Sequence, residues 1–332
     1  MLDDPGEAAE LLRQGGVVAF PTETVYGLGA NARDETAVNQ IFQAKGRPSN
    51  NPLIVHVAAP DQWSLAARDI TSAARVLFDT FSPGPLTVVL PKLPAIASNA
   101  TGGLDTVGIR VPEHLLARDF LSMCNVPVAA PSANLSGRPS CTTWQSVMED
   151  LDGRIDAVLK GPPPTIGVES TVVDCTREIP VLLRPGGISL QQLQSAVPET
   201  ISLQNPSAQH PSTQSEQATR SPGLLHPHYQ PRAKVHLVPA IKFTAELLER
   251  TSEKLTRGEA FVTIGTGERI ELRDDHCLAS YQFGDIEQLA RDFYESLRRA
   301  DRLGAKHILV QLATGDSPIV SALRDRQQRS AE

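Results

Sequence analysis

No apolar run in this chain approaches the roughly 20 residues needed to cross a bilayer. The opening segment, MLDDPGEAAELLRQGG, is acidic and helix-like rather than a signal sequence, so a cytoplasmic protein without a membrane partner is expected. Cysteine is sparse. Cys124, Cys141, Cys175 and Cys277 lie far apart with no CxxC pair, which argues against a zinc site and against a disulfide framework. Basic charge is not in excess either. The formal net charge is −7, whereas a protein that works by gripping nucleic-acid backbone usually carries the opposite sign. There is no Walker A loop, no G-x-S-x-G elbow and no H-E-x-x-H pair. The run Gly27–Ala32 (GLGANA) fits G-x-G-x-x-A, but PTETVY separates it from the preceding apolar run, which is the wrong spacing for a dinucleotide fingerprint. Any nucleotide must be held by other means.

What is present is enough chain, 332 residues, for two domains that each bury a core. Residues 201–232, rich in Ser, Gln and Pro, read as a linker because they cannot bury enough apolar surface to fold alone. Only the end of that stretch, SPGLLHPHYQP, is less bland. Residues 1–200 alternate short apolar runs with helical patterns. VVAF, LIVHV, LTVVL, VGIRV, VPVAA, STVVD and PVLLR read as strands, and residues 34–44 as a helix capped by Asp34 with Ala37, Val38, Ile41 and Phe42 on one face. The expected fold is α/β with a mixed sheet. Residues 233–332 alternate strands at 234–238, 260–265 and 307–312 with helices near 244–257, at 285–303 and at the end, which suggests a small doubly wound, Rossmann-like domain. This tail shows no chemical signature, so packing, oligomerisation or steering of the linker is its expected work.

Chemistry concentrates in the first 190 residues. In AKGRPSNNPLIVH, Lys45 and Arg47 follow a helix end, Pro48 stiffens the turn, and Asn51 precedes a strand that carries His56. An Arg fork, a Lys point charge and an amide suit a phosphate group, although cations at a helix C-terminus and a histidine in a core are common in their own right. Arg110 sits inside the apolar strand GIRVP, where a guanidinium needs a partner. A substrate carboxylate would serve, as would an internal ion pair with Glu23 or Glu169. Small hydroxyls and an amide in PSANLSG, the segment Glu169-Ser170-Thr171, and RPGG after Arg184 add polar groups beside other strands. Together they suit a ligand that bears phosphates and a carboxylate.

The order of FPTETVYGLGANA, KGRPSNNPLIVHV, SPGPLT, GIRVP, PSANLSG, ESTVVD, RPGG and SPGLLHPHYQP resembles the YrdC-like threonylcarbamoyl-adenylate synthases, in the longer type with a Rossmann-like C-terminal domain. The resemblance implies a YrdC-like twisted mixed sheet with flanking helices, followed by that second α/β domain. It implies an enzyme that joins L-threonine, bicarbonate and ATP, with Mg2+ on the phosphates, into threonylcarbamoyl-AMP and pyrophosphate. A threonylcarbamoyl transferase complex would then modify tRNA beside the anticodon. Carried over position by position, Lys45, Arg47 and Asn51 would meet ATP, with Lys45 and Arg47 the catalytic cations. Thr24, His56, Arg110 and Ser170 would hold threonine. Thr106, Ser132, Ser140 and Arg184 would line the nucleotide side, and Tyr229 would close over it from the linker. In the linker, Leu224-Leu225-His226-Pro227 stand where the family often carries a methionine and a basic or aromatic stretch. A carbamoyl-adenylate-forming relative and a non-enzymatic RNA-binding factor are the alternatives. The first lacks its acylphosphatase-like and zinc-finger segments here, and the second sits poorly with the acidic charge. Whether the chain forms a homodimer is left open.

Overall fold

A computed structural model describes residues 1–203, 229–244, 248, 256, 258–268, 270, 272 and 274–332. Most of the expected linker, Leu224 to His228 included, and most of the helix expected near 244–257 lie outside the described residues.

Ten strands form the first sheet: β1 (Val18–Phe20), β2 (Gly27–Asn31), β3 (Ile54–His56), β4 (Leu86–Pro91), β5 (Thr106–Arg110), β6 (Val128–Ala130), β7 (Ala157–Val158), β8 (Thr171–Asp174), β9 (Val181–Arg184) and β10 (Ile201–Ser202). Their spatial order is β10-β9-β8-β4-β5-β3-β6-β2-β1-β7, with parallel and antiparallel neighbours mixed. Every apolar run read as a strand lies in this sheet. Six helices accompany it: α1 (Pro5–Arg13), α2 (Glu35–Lys45), α3 (Ser72–Phe81), α4 (Leu115–Cys124), α5 (Trp144–Leu151) and α6 (Leu190–Ala196). In α2, Asp34 accepts from the backbone of Thr36 and Ala37, and Ala37, Val38, Ile41 and Phe42 are buried, as the spacing predicted.

The glycine run that mimics a dinucleotide fingerprint is strand β2 itself. A Cβ at Gly29 would meet Val128 Cγ1 at 2.8 Å and the Phe20 ring at 3.0 Å, so glycine is there for close approach of neighbouring side chains, not for phosphate.

Register sets up the site. Parallel pairing of β3 with β5 puts His56 beside Arg110, and antiparallel pairing of β3 with β6 puts it beside Val128. The RPGG segment returns onto the start of β8 so closely that a Cβ on Gly186 would lie 2.1 Å from the Thr171 nitrogen. Only glycine lets that backbone reach the Glu169-Ser170 peptide.

The second sheet, β11 (Lys234–Val238), β12 (Phe261–Thr266), β13 (Cys277–Phe283) and β14 (His307–Gln311), is parallel throughout, in the order β11-β14-β12-β13. Among the described residues it carries the helices α7 (Ile286–Arg302), capped by Asp285, and α8 (Ile319–Ser330). The two halves share a core. Val25 and Val168 of the first join Tyr229, Phe293, Tyr294, Leu297 and Leu323 in one buried apolar cluster.

Candidate active site

Nine of the twelve residues singled out above line a single pocket: Thr24, Arg47, His56, Arg110, Ser132, Ser140, Ser170, Arg184 and Tyr229. Thr22, Asn134 and Glu169 complete its polar lining, and Val25, Tyr26, Ile54 and Ala130 are part of its apolar wall. With Tyr229 in place the cavity is about 60 Å³. Pockets that enclose drug-sized ligands run to roughly 300–1,000 Å³.

Lys45, Asn51 and Thr106 are not on that lining. Lys45 is buried behind it, where its ammonium donates to the Ser132 carbonyl at 2.6 Å and to the Asn134 carbonyl. Burial, with help from nearby Arg47, brings its pKa down to about 7. Its carbonyl partners bind the ammonium form, so in this geometry Lys45 ties down the PSAN loop. Asn51 is fully buried, and its carbonyl and that of Pro52 accept from Arg47 Nη2. Thr106 opens β5, four residues before Arg110, which separates their backbone positions by about 13 Å along the strand. Spacing in the sequence shows that these residues belong to the motifs but not which way they face.

Two cationic arms remain. Arg47 has a buried Nε with no hydrogen-bond partner among the described residues, and burial lowers its pKa to about 10. Arg184 donates to the Ser170 carbonyl from Nε at 3.2 Å and from Nη2 at 2.9 Å. Ser170 Oγ also meets Thr87 Oγ1 at 2.8 Å. Arg184 therefore fixes the peptide that begins β8.

At the other end, Arg110 Nη2 lies 2.7 Å from Glu23 Oε1, with both side chains buried. Of the two internal partners weighed for Arg110, the structure selects Glu23. The contact is short but poorly aligned. Arg110 Nε and Nη2 and both Glu23 oxygens make no hydrogen bond among the described residues. Buried charges left without directed bonds are expensive unless a ligand supplies them. His56 beside them is neutral. Burial first, then the adjacent Arg110 charge, push its pKa down to about 3, and Nδ1 faces the Ile54 carbonyl at 3.1 Å.

Glu169 is the wall residue that sequence reasoning undervalued. Its carboxylate accepts from Ser140 Oγ at 2.6 Å, Tyr294 Oη at 2.9 Å and Arg326 Nε at 2.8 Å. Two of those donors belong to the C-terminal domain, so the tail packs polar side chains directly behind the pocket wall. Nothing in the apolar periodicity of residues 285–303 could show this, because Tyr294, Glu295 and Arg298 are polar yet buried beside the apolar stripe. Burial alone would raise the Glu169 pKa, but the Arg326 and Arg184 guanidiniums outweigh it and hold it at about 2, below its ordinary 4.5. A pKa lowered by folding means stability that is complete above about pH 4.5 and is lost as pH falls toward 2. The stability difference between wild type and Glu169→Gln should therefore narrow in that window by up to about 3 kcal/mol. Urea titrations at pH 7, 4 and 3 would check it, and a difference independent of pH would contradict the assignment.

Three guanidiniums, a neutral imidazole, several hydroxyls and one fixed carboxylate in a closed pocket define an enzyme site for a phosphorylated, carboxylated ligand rather than a nucleic-acid surface. Comparison with known proteins gives this class its family. Residues 10–186 match the model of the Sua5/YciO/YrdC family, described as "Telomere recombination", and residues 188–332 match the threonylcarbamoyl-AMP synthase C-terminal domain. A threonylcarbamoyl-AMP synthase of Pyrococcus abyssi is 42% identical over 92% of this chain and 87% of its own length. One of Bacillus subtilis is 39% identical over 99% of this chain and 94% of its own. The crystal structure of P. abyssi Sua5 complexed with L-threonine superposes with a TM-score of 0.87, covering 98% of this chain and 94% of that one at 38% identity. The chain belongs to the Sua5/YciO/YrdC family, in its two-domain form.

Proposed function

We propose that this protein is an L-threonylcarbamoyladenylate synthase. The observation that carries the reading is the make-up of one pocket: Thr24, His56 and Arg110 line it together with Arg47, Ser132, Ser140, Ser170, Arg184 and Tyr229, with His56 set beside Arg110 by the β3–β5 register and Arg184 bonded to Ser170. The relatives bear that enzyme's name, and the P. abyssi protein binds L-threonine in its crystal.

In this reading Arg110 takes the threonine carboxylate, satisfying the guanidinium nitrogens that Glu23 leaves undirected. Neutral His56 and the Thr24 hydroxyl border the amino acid without adding a second cation. The threonine amine takes up CO2 from bicarbonate, releasing water overall. A carbamate oxygen then forms a bond to the α-phosphorus of ATP while the bond to the β-phosphate breaks, and pyrophosphate leaves. No protein nucleophile is required. Alignment and charge neutralisation are, and Arg47 and Arg184 provide them on the phosphate side. Lys45 acts through the PSAN loop, whose Ser132 and Asn134 face the ligand. Mg2+ would enter on the phosphates of ATP and neutralise charge there, and the Ser132 and Ser140 hydroxyls suit its water shell. ATP needs more room than the present cavity, so Tyr229 must move outward for entry and return to exclude water from a labile adenylate. The product would pass to a threonylcarbamoyl transferase complex acting on tRNA in the cytoplasm. Among the described residues no helix is long and apolar enough to cross a membrane.

Selectivity for threonine over serine should be modest. A methyl group met by apolar surface discriminates by roughly 1–3 kcal/mol, so serine is expected to turn over at about 10- to 200-fold lower kcat/KM. Equal turnover of glycine, serine and threonine would contradict a threonine pocket. The reading itself is tested by pyrophosphate release from ATP with threonine and bicarbonate added separately and together. Release should require both. Release driven instead by carbamoyl phosphate would make the protein a carbamoyl-adenylate former.

A further inference from the structure

We propose that Arg326 and Tyr294, both from helices of the C-terminal domain, are positioning residues for the nucleotide side of the pocket, acting through Glu169 and Tyr229. The inference rests on the synthase reading for the identity of the nucleotide.

Arg326 is completely buried, yet three separate parts of the site meet at its guanidinium. Nε donates to Glu169 on the pocket wall at 2.8 Å. Nη2 donates to the Pro185 carbonyl at 3.1 Å, on the residue that follows Arg184. The guanidinium carbon lies 5.6 Å from the centre of the Tyr229 ring, within cation–π range. Asp325 pairs with the remaining face. Tyr294 repeats the arrangement on a smaller scale. Its hydroxyl donates to Glu169 at 2.9 Å, and its ring is tilted 31° against Tyr229 with centroids 5.2 Å apart.

Tyr229 needs such support. Its φ of 71° is left-handed, a conformation that a bulky side chain holds only when its surroundings impose it. Beside it, Gln230 N donates to the Gly137 carbonyl at 2.8 Å. The ring is held by Tyr294 and Arg326. A purely adhesive role for Arg326 is the alternative, but a buried ion pair is a poor adhesive, since well-packed apolar residues usually stabilise as much or more. An arginine that spans the wall, the Arg184 loop and the strained tyrosine has a geometric task. Arg184 and Ser140 keep their places because Glu169 and Pro185 are kept in theirs.

The test uses the full chain and the variants Arg326→Gln, Arg326→Lys and Tyr294→Phe, with Ser146→Ala as control. Ser146 donates to Glu295 across the same domain interface at 2.8 Å but does not line the pocket. ATP affinity by calorimetry, KM for ATP and for threonine, and melting temperature are measured on each. Losing a hydrogen bond to a charged group should weaken ATP about 10- to 100-fold in Arg326→Gln. KM for threonine should move less than about threefold, and Arg326→Lys should recover part of the loss because it keeps the charge without the fork. Tyr294→Phe, which keeps the ring, should weaken ATP by only a few-fold and guards against a misfolded Arg326 variant. Ser146→Ala should leave ATP affinity alone. ATP affinity and KM unchanged in Tyr294→Phe and in folded Arg326 variants, with only the melting temperature lowered, would overturn the proposal. So would an equal loss in Ser146→Ala. Wild type that binds ATP but releases no pyrophosphate would defeat the synthase reading and leave the affinities to decide the positioning role.

Discussion

Arg110→Ala is expected to remove threonine-dependent pyrophosphate release almost entirely while leaving ATP affinity within a few-fold of wild type. Truncating one partner of a buried, hydrogen-bonded charge pair commonly costs 2–5 kcal/mol, which puts the loss at roughly thirtyfold to a few thousandfold in kcat/KM. Two effects add in the proposed reading. The threonine carboxylate would lose the Arg110 guanidinium, and Glu23, buried 2.7 Å from Arg110 in the wild type, would lose that cation. Arg110→Lys should recover little, because a point charge on a flexible stem cannot reproduce a fork held by the β3–β5 register. Glu23→Gln combined with Arg110→Ala should recover part of threonine binding if repulsion by Glu23 contributes. Steady-state kinetics with ATP and threonine varied independently would separate these terms. Loss of ATP affinity equal to the loss of threonine affinity would contradict the assignment of Arg110 to the amino-acid end.

The second large effect concerns stability. Arg298 of α7 grips Asp150 of the first domain with two bonds, Nη2–Oδ2 at 2.7 Å and Nη1–Oδ1 at 3.1 Å, and also donates to the Pro139 carbonyl at 2.5 Å. Asp150 in turn accepts from the Leu135 backbone, so the interdomain pair buttresses the PSANLSG loop. Arg298→Ala leaves a buried carboxylate that still pairs with the partly exposed Arg138 at 2.6 Å. Breaking a buried pair from one side is typically destabilising by 3–5 kcal/mol, and Arg138 should hold the effect near the lower end, about 3 kcal/mol. Replacing both partners with apolar residues of similar volume, Arg298→Met with Asp150→Leu, should destabilise less than Arg298→Ala alone, because no buried carboxylate is stranded and Arg138, which loses its partner, is partly exposed to water. Urea unfolding followed by far-UV circular dichroism measures both. If the double variant were the less stable of the two, the net contribution of the pair would have to be favourable by itself, contrary to this account.

Much of the first domain is legible because its strands announce themselves. LIVHV, LTVVL and STVVD are short and rich in β-branched residues, the first two follow a proline, and each lies in the sheet. Strand β2 is not legible in the same way. GLGAN lacks the bulky residues that mark a strand, and its glycines answer to Phe20 and Val128, which are distant in sequence or across the sheet. Motif membership located the pocket but not the facing of side chains, and Lys45 shows why. Its position at the end of α2 is visible in the sequence, whereas the two carbonyls that capture its ammonium come from residues 132 and 134. The interdomain cluster is the least legible part. Arg298, Arg326 and Tyr294 sit in ordinary-looking helices, and their buried partners, Asp150 and Glu169, are more than a hundred residues away. Single-sequence periodicity reports which face of a helix is apolar. It is blind to a polar face that is buried against another domain.

The central claim is that one pocket joins threonine, bicarbonate and ATP. The most direct measurement is to incubate the purified full-length protein with ATP, Mg2+, L-threonine and isotopically labelled bicarbonate, and to identify the nucleotide products by mass spectrometry. The account predicts a labelled adenylate carrying both the threonine and the bicarbonate carbon, formed one for one with pyrophosphate and absent when either threonine or bicarbonate is omitted. AMP formed without label, or a labelled adenylate that appears without threonine, would contradict it.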